Sequence, residues 1–390
     1  MRIVKWILGI VLTVLVVGVL GFFILAPGIA ERDMNVVVEH DPYPVTAEGA
    51  AFHDTLLIGD WHADTLLWKR DPLERSDRGH VDIPRLIEGN VTLQVFTAVT
   101  KSPSGQNYEE NSAETFDNIT LLAVGQLWPP RTWNSLLERA LYQAERLRDA
   151  ANRSGGHLRL IRTEKDLDAV LALREAGEEV VGGVLGIEGA HPLEGEISNL
   201  DRLEAAGYRL IGLHHFFDNE LGGSLHGVGD AGLTDFGRQV VKEVAARGMI
   251  LDLAHSSPQV AREVIEMTDM PLVVSHTGIR SHCDTKRNYP DDLMQAIAAT
   301  GGVIGIGYWE DVTCDDSPLG VARTIQAAID LVGEDHVALG SDYDGTVTTG
   351  FDTAELAALT QAMLDIGLTE AQIRKVAGGN MVRVLRDRLN

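Results

Sequence analysis

The sequence predicts an α/β protein folded as a (β/α)8 barrel of the TIM type. Short apolar runs alternate about eight times with longer amphipathic runs, which is typical of parallel strands joined by helices. Several of the short runs are apolar at nearly every position, as expected for strands buried on both faces. Most of them are followed by side chains that can bind a metal or carry a proton, and active sites of such barrels lie at this end of the strands. The 390 residues, of which 45% are hydrophobic, are sufficient for one such barrel.

The alternation can be followed along the chain. Helices are predicted over 232–248, with Thr234 as N-cap, and over 317–333, with Ser317 as N-cap and Pro318 at the first helical position. A doubly wound open sheet is the alternative, but no glycine-rich nucleotide fingerprint follows the first strand. The first predicted strand contains the apolar run at 55–58. The other predicted strands occupy residues 91–99, 180–189, 208–215, 249–257, 271–277, 301–309 and 336–345.

Residues 101–152 interrupt this rhythm. They contain the polar stretch SPSGQNYEENSAE and then a long helical pattern that ends near ANR. We interpret them as an insertion or a long helix near the mouth of the barrel.

The N-terminal segment differs from the rest of the chain. Residues 6–26 are apolar and uncharged, and 21 residues in a helix span about the ~30 Å hydrocarbon thickness of a bilayer. Arg2 and Lys5 precede this stretch, which favours an inside N-terminus and an extracytoplasmic catalytic domain. A cleavable signal peptide is the alternative, although its apolar core is usually shorter. We therefore predict a membrane anchor over 1–27, a linker over 28–48 and a catalytic barrel domain over 49–390.

The net charge of −24 argues against nucleic-acid binding, because phosphate contacts require a basic surface. The two cysteines, Cys283 and Cys314, leave two readings open. They form one disulfide closing about 32 residues, or they are two separate buried thiols.

Polar side chains follow most of the predicted strands. His62 and Asp64 follow the first apolar run, and in an extended segment residues two apart point to the same face. The other strand ends contribute Glu188, His214, His215, His255, His276, Asp342 and Asp344. A single histidine near a strand end is usually structural. Six strand ends with such residues favour a metal hydrolase site.

The donor set consists of imidazoles and carboxylates, which suits zinc or a similar divalent ion. It contains more ligands than one tetrahedral ion needs, so we expect two ions bridged by Glu188. No serine occupies a GxSxG turn and neither cysteine adjoins a strand-end histidine, so covalent nucleophilic catalysis has little support.

Residues 49–390 resemble the membrane dipeptidases, that is, renal dipeptidase and its bacterial relatives, a branch of the metal-dependent barrel hydrolases. Each motif is weak alone, but eight occur in order. The resemblance rests on DWHAD, VDIPRLIEGNVTLQVF, GIEGAHPLEG, GYRLIGLHHFFDNELGGS, GMILDLAHSS, SHTGIRSHCDTKRNYPDDL, LGSDYDG and GGNMVRVL.

The resemblance implies a role for each matched residue. One zinc ion would be bound by His62 and Asp64, the other by His255 and His276, and Glu188 would bind both.

Three further residues would act on the substrate. His215 would contact it and stabilise the oxyanion, Arg287 would bind its terminal carboxylate, and Asp342 would carry the proton to the departing amine. The resemblance also implies a Cys283–Cys314 disulfide and points to a homodimer.

The sequence departs from the family pattern beside two of these motifs. Trp61 and Ala63 flank the first ligands, and His214 stands where a small hydroxyl residue is common. We expect His214 to lie behind the site rather than to contact substrate. The other histidines are expected to be solvated, structural or outside the ligand set: His40, His53, His80, His157, His191, His226, His282 and His336.

The predicted function is the zinc-dependent hydrolysis of dipeptides by a hydroxide held between two ions. The alternatives are a related binuclear amidase, lactonase or β-lactam hydrolase, and a catalytically silent membrane-anchored binding protein.

Overall fold

The computed structural model describes residues 2–389, and a closed barrel of eight parallel strands forms its centre. The strands of the whole structure are β1 (Val36–Val37), β2 (Ile58–Ala63), β3 (Val91–Val99), β4 (Leu158–Leu160), β5 (Val181–Glu188), β6 (Tyr208–Gly212), β7 (Ile250–Asp252), β8 (Val273–Thr277), β9 (Val303–Ile306), β10 (Val337–Leu339) and β11 (Thr348–Thr349). The barrel consists of β2, β3 and β5–β10, and it closes where β10 pairs with β2 and β3 pairs with β5.

The helices surround this barrel. They are α1 (Arg2–Met34), α2 (Ala47–His53), α3 (Ile83–Glu88), α4 (Asn118–Gly125), α5 (Leu136–Arg153), α6 (Glu164–Glu175), α7 (Asn199–Ala206), α8 (Asp235–Ala246), α9 (Pro258–Met267), α10 (Asp291–Ala299), α11 (Glu310–Thr313), α12 (Pro318–Val332), α13 (Leu356–Asp365), α14 (Glu370–Arg374) and α15 (Asn380–Arg388). The predicted N-caps are present, because the Thr234 and Ser317 side chains accept hydrogen bonds from the amides of Gly237 and Gly320. The predicted (β/α)8 fold is confirmed.

Four strands end earlier than predicted. β6 ends at Gly212 rather than at 215, and β9 ends at Ile306 rather than at 309. β7 ends at Asp252 rather than at 257, and β10 ends at Leu339 rather than at 345. The backbone leaves the sheet at these points, and it soon reaches left-handed residues, since φ is 62° at His255 and 61° at Asp342. The prediction placed these strand ends too far along the chain, because apolar residues continue among the polar residues that follow each strand. The first strand is longer than its apolar run, because β2 includes Trp61 and His62.

Helix α1 continues past the apolar stretch at 6–26. Its part from Ile3 to Met34 is long and apolar enough to cross a membrane, judged by length and composition. Its last turns contact the barrel domain, and Glu31 is buried there between Arg70 and Arg78, with N–O distances of 2.5 and 2.8 Å.

The segment predicted as a linker is bound to the barrel domain over part of its length. Asn35 accepts a hydrogen bond from the Thr346 amide, and β1 pairs in parallel with β11. The division of the chain at residues 27 and 48 remains a prediction.

The segment at 101–152 forms a long loop, α4 and α5, and part of it lines the mouth of the barrel. Cys283 and Cys314 form a disulfide with an S–S distance of 2.08 Å, so the paired reading is the one that the structure shows.

Candidate metal centre

The five predicted metal ligands meet at the carboxyl ends of the barrel strands. His62 lies in β2 and Asp64 follows it, Glu188 ends β5, His255 follows β7, and His276 lies in β8. All five side chains are buried. Parallel strands place these ends on one rim, which brings together residues more than 200 positions apart in the chain.

Glu188 is at the centre of the cluster. Its Oε1 atom lies 3.5 Å from His62 Nε2, 3.2 Å from His255 Nε2 and 3.4 Å from His276 Nε2. Its other oxygen, Oε2, lies 3.3 Å from His215 Nε2. One carboxylate therefore faces four imidazoles, which is the position expected of a bridging ligand.

The side chains that could share one ion form three overlapping groups. One group, His62, Asp64 and Glu188, is the first predicted zinc site. A second joins Glu188 and His255 with His215, and a third joins His62 and His276 with Asp342. His276 is also close to the second predicted site, because its Nε2 lies 2.9 Å from that of His255. The structure thus brings all five predicted ligands together and adds His215 and Asp342 at similar distances.

The donor atoms fit a divalent cation. His62 Nε2 is buried and has no hydrogen-bond partner, although it lies 3.6 Å from the Asp64 carboxylate. Burial lowers the pKa of His255 and of His276 well below the ordinary value, so both rings are neutral, which is the form that binds metals. Burial also raises the pKa of Glu188 well above its ordinary value. A bound cation would offset this cost of burying a carboxylate.

A hydroxyl group between two strands holds two of the imidazoles. Ser275 Oγ donates to Asp252 at 2.6 Å and lies 2.8 Å from His276 Nδ1 and 3.2 Å from His62 Nδ1. Such partners orient metal-binding rings by holding the nitrogen that faces away from the ion. Asp64 is held in a similar way, because Thr97 Oγ1 donates to its carboxylate at 2.6 Å. Sequence reasoning missed Ser275, Asp252 and Thr97, because they lie within the predicted strands and the prediction considered the side chains at the strand ends.

Arg287 and Asp342 both lie beside the cluster. The Arg287 Nη2 group donates to the His276 carbonyl oxygen at 2.9 Å, and the guanidinium lies 5.6 Å from the centre of the Trp309 ring. Asp342 Oδ1 lies 3.8 Å from His62 Nε2. Burial raises the pKa of Asp342 to about 7, although the nearby His62 lowers it.

His215 is presented in a particular tautomer. Its ring is neutral, because burial lowers its pKa to about 4. Its Nδ1 lies 3.2 Å from the Lys101 carbonyl oxygen, an acceptor, so the proton of the ring is on Nδ1 and the lone pair of Nε2 faces Glu188.

The candidate site opens into a cavity of about 740 Å³. Several residues of the segment at 101–152 also line this cavity. Tyr108 is one of them, and its hydroxyl accepts a hydrogen bond from Trp309 Nε1 at 3.0 Å. No sequence signal distinguished Tyr108 from the polar residues around it. The cavity is lined by Asp64, Glu188, His215, His255, Arg287, Asp342, Trp68, Tyr108 and Phe216, and further out by parts of α1 and α4.

Three further histidines are buried near the cluster but make other contacts. His214 Nδ1 lies 3.1 Å from Ser256 Oγ, which agrees with the expectation that it lies behind the site. His191 stacks on Phe217 with ring centres 4.6 Å apart. His226 Nδ1 lies 2.8 Å from the Tyr108 carbonyl oxygen, and its ring lies 5.5 Å from that of His255.

The fold and the cluster define a parallel barrel with a rim site suited to divalent metal ions. Comparison with known proteins is consistent with this class. The family model described as "Membrane dipeptidase (Peptidase family M19)" matches residues 48–389. The chain therefore belongs to the membrane dipeptidase family, and the resemblance read from its motifs is confirmed.

Individual relatives show the extent of the similarity. The chain is 35% identical over 221 residues to "Dipeptidase aclJ" of Aspergillus oryzae, which covers 53% of this chain and 51% of that protein. The chain thus spans about half the length of the curated relatives that it matches.

Among solved structures, the chain is similar to a dipeptidase AC described as a metallopeptidase, with a TM-score of 0.71, 25% identity and coverage of 86% of this chain and 99% of that one. A metallopeptidase from Rhodobacter sphaeroides, solved with a phosphinate mimic of the dipeptide L-Ala-D-Ala, has the same fold. Its TM-score is 0.68 at 24% identity, with coverage of 86% of this chain and 100% of that one.

Proposed function

We propose that this protein is a zinc-dependent dipeptidase whose barrel rim holds two ions bridged by Glu188. The observation that carries the proposal is the position of Glu188, whose two oxygens face His62, His255, His276 and His215 at 3.2–3.5 Å in a buried cavity. Membership of a metallopeptidase family supports it. His62 and Asp64 would hold one ion, His255 and His276 the other, and Glu188 both.

In this reaction the bound ions would lower the pKa of a water molecule and polarise the scissile carbonyl. Asp342 would take the proton from the attacking water and return it to the departing amine, and its Oδ1 is close enough to the cluster for this task. His215 would face the developing oxyanion. To donate there it needs a proton on Nε2, so the ring must take up a second proton or give up its bond to the Lys101 carbonyl.

Arg287 would bind the terminal carboxylate of the substrate. A guanidinium forms paired hydrogen bonds with a carboxylate, and Arg287 is held by Trp309 and the His276 carbonyl rather than by an acidic side chain. This position would limit the substrate to two residues. It also favours a dipeptidase over an amidase, a lactonase or a β-lactam hydrolase acting on substrates without a nearby carboxylate.

We further propose that α1 anchors the protein in a membrane, with the catalytic domain on the extracytoplasmic side. The uncharged stretch at 6–26 and the basic residues Arg2 and Lys5 before it support this orientation. A cleaved signal sequence remains the alternative. The mass of the purified mature protein decides between them.

The test uses the full chain in detergent, stripped with a chelator and then titrated with zinc. Release of free amino acids is measured on a panel of L-L and L-D dipeptides that includes L-Ala-D-Ala. Activity that saturates near two zinc ions per chain is the expected result. Metal binding without hydrolysis of any dipeptide would assign the site to another amide or ester, and a chain that binds no metal would be a silent binding protein.

A further inference from the structure

The segment at 116–127, which contains α4, carries an unusual concentration of exposed apolar side chains. Phe116, Leu121 and Leu127 are 55%, 62% and 59% exposed. Among the described residues beyond 38, only two other large apolar side chains are exposed, Val228 and Leu319. Single exposed apolar residues are common on soluble proteins, but three within twelve positions mark a surface that has an apolar partner.

This segment lies beside the N-terminal helix. Helix α4 packs against α1, and Leu121 and Leu122 line the same cavity as Phe22 and Ala26 of α1. Phe22 and Ala26 belong to the last turns of the uncharged stretch at 6–26. The exposed face of α4 is therefore level with the end of the stretch that is apolar enough to cross a membrane.

A lysine lies beside the same part of α1. The Lys69 ammonium lies 3.4 Å from the Phe23 carbonyl oxygen, and its side chain is exposed. Lysines near the ends of membrane helices extend their charged groups towards the lipid–water interface. The position of Phe23 along α1 thus corresponds to the interface, and Leu121 lines the same cavity as the preceding residue, Phe22.

We propose that the segment at 116–127 is a second membrane contact, which lies in the lipid–water interface beside α1. The inference rests on the proposed anchoring role of α1. Its occupant is the bilayer surface, because the exposed residues are apolar and α4 packs against the helix that is apolar enough to cross a membrane. Since Leu121 and Leu122 share a cavity with Glu188 and His255, the entrance to the metal centre lies at the membrane surface.

The experiment places a fluorescent label on single introduced cysteines. The two native cysteines form a disulfide, so a new cysteine is the one free thiol. The variants are Leu121→Cys and Leu127→Cys, with Phe22→Cys as the membrane reference and Val228→Cys, 58% exposed, as the matched aqueous control. The full chain is reconstituted in phosphatidylcholine vesicles. Quenching by doxyl groups on lipids is compared with quenching by iodide in water.

We expect lipid-bound doxyl to quench the labels at 22, 121 and 127 at least threefold more than the label at 228, and iodide to show the reverse order. Labels at 121 and 127 that behave like the one at 228 overturn the proposal. Labels at these positions that neither quencher reaches also overturn it, because they then lie in a protein interface.

The reference label separates the two proposals. A label at 22 that iodide quenches and doxyl does not means that α1 is no anchor, and both proposals about the membrane fail. If doxyl quenches the label at 22 while iodide quenches those at 121 and 127, only the proposal of a second membrane contact is wrong. Zinc-dependent dipeptide hydrolysis stands or falls on the separate assay.

Discussion

Glu31, near the end of the N-terminal helix, and Asp344, two residues beyond Asp342, bind the same guanidinium, that of Arg70. Asp344 also accepts a hydrogen bond from the His80 amide at 2.7 Å. All of these side chains are buried. Two ion pairs therefore connect the helix that is apolar enough to cross a membrane with the loop that contains Asp342, the proposed proton carrier.

Removing one partner of this link should destabilise the protein. In Glu31→Ala the Arg70 guanidinium keeps Asp344 and the Val81 carbonyl oxygen as partners but loses one of its two buried carboxylates. Breaking a buried pair of this kind costs about 3–5 kcal/mol. We expect a loss of this order in the free energy of unfolding and a lower kcat, because the loop at 342–346 loses a support. Denaturant unfolding and dipeptide hydrolysis measure the two effects. Glu39→Ala is the matched control, because Glu39 is an exposed carboxylate that follows β1. Equal stability and equal kcat of the two variants would contradict the prediction.

Asp342→Asn should remove turnover but not the metal. An asparagine cannot accept the proton of the attacking water, so kcat should fall by about 10²–10⁴-fold. Metal content, measured on the same preparation by mass spectrometry, should stay that of the unmodified chain. Asp342 is also close enough to His62 and His276 for the three side chains to hold one ion. A loss of bound metal in the variant would therefore reassign Asp342 as a ligand.

Arg287→Lys should change which substrates are accepted. A lysine keeps the charge but not the paired hydrogen bonds to a carboxylate. We expect kcat/KM for a free dipeptide to fall by about tenfold or more, since hydrogen bonds to charged groups contribute roughly 1.5–3 kcal/mol. The matching dipeptide amide should be a poor substrate for both forms, with little difference between them. A variant that loses activity equally on both substrates would show that Arg287 supports the metal ligands and does not select the carboxylate.

The stability of the protein should fall on the acid side of pH 6.5 in part through His53. Burial lowers the pKa of His53, whose ring is hydrogen-bonded to Thr360 at 2.9 Å. In the unfolded chain the His53 imidazole has a pKa of about 6.5, so it takes up a proton below this pH. The folded chain does not bind this proton. Stability is lost as the pH falls, by up to about 1.4 kcal/mol per pH unit for this one group.

The comparison that isolates this effect is with His53→Asn, unfolded in urea at pH 7.5, 6.5 and 5.5. The stability of the unmodified chain should decrease relative to that of the variant as the pH is lowered. If the two stabilities run parallel over this range, His53 titrates alike in the folded and unfolded states.

The barrel and the gathering of its strand-end side chains at one rim could be predicted from the sequence, because both depend on patterns that are local in the chain. Continuous apolar runs mark strands buried on both faces, and the residue types after them reveal metal chemistry. The ends of the strands were less certain, since His255 and Asp342 leave the sheet through left-handed residues that the apolar pattern does not record.

The sequence by itself determined that His62, Asp64, Glu188, His255 and His276 would be offered at one rim. Only the tertiary structure decided that His215 and Asp342 lie as close together with these five residues as the five do with one another, and that Tyr108 lines the cavity. It also decided that α1 contacts the loop at 342–346 through Arg70, and that the residue after α1, Asn35, binds the same loop. The physical reason is that barrel closure and loop packing join residues about 300 positions apart, and such contacts leave no periodic trace in the sequence.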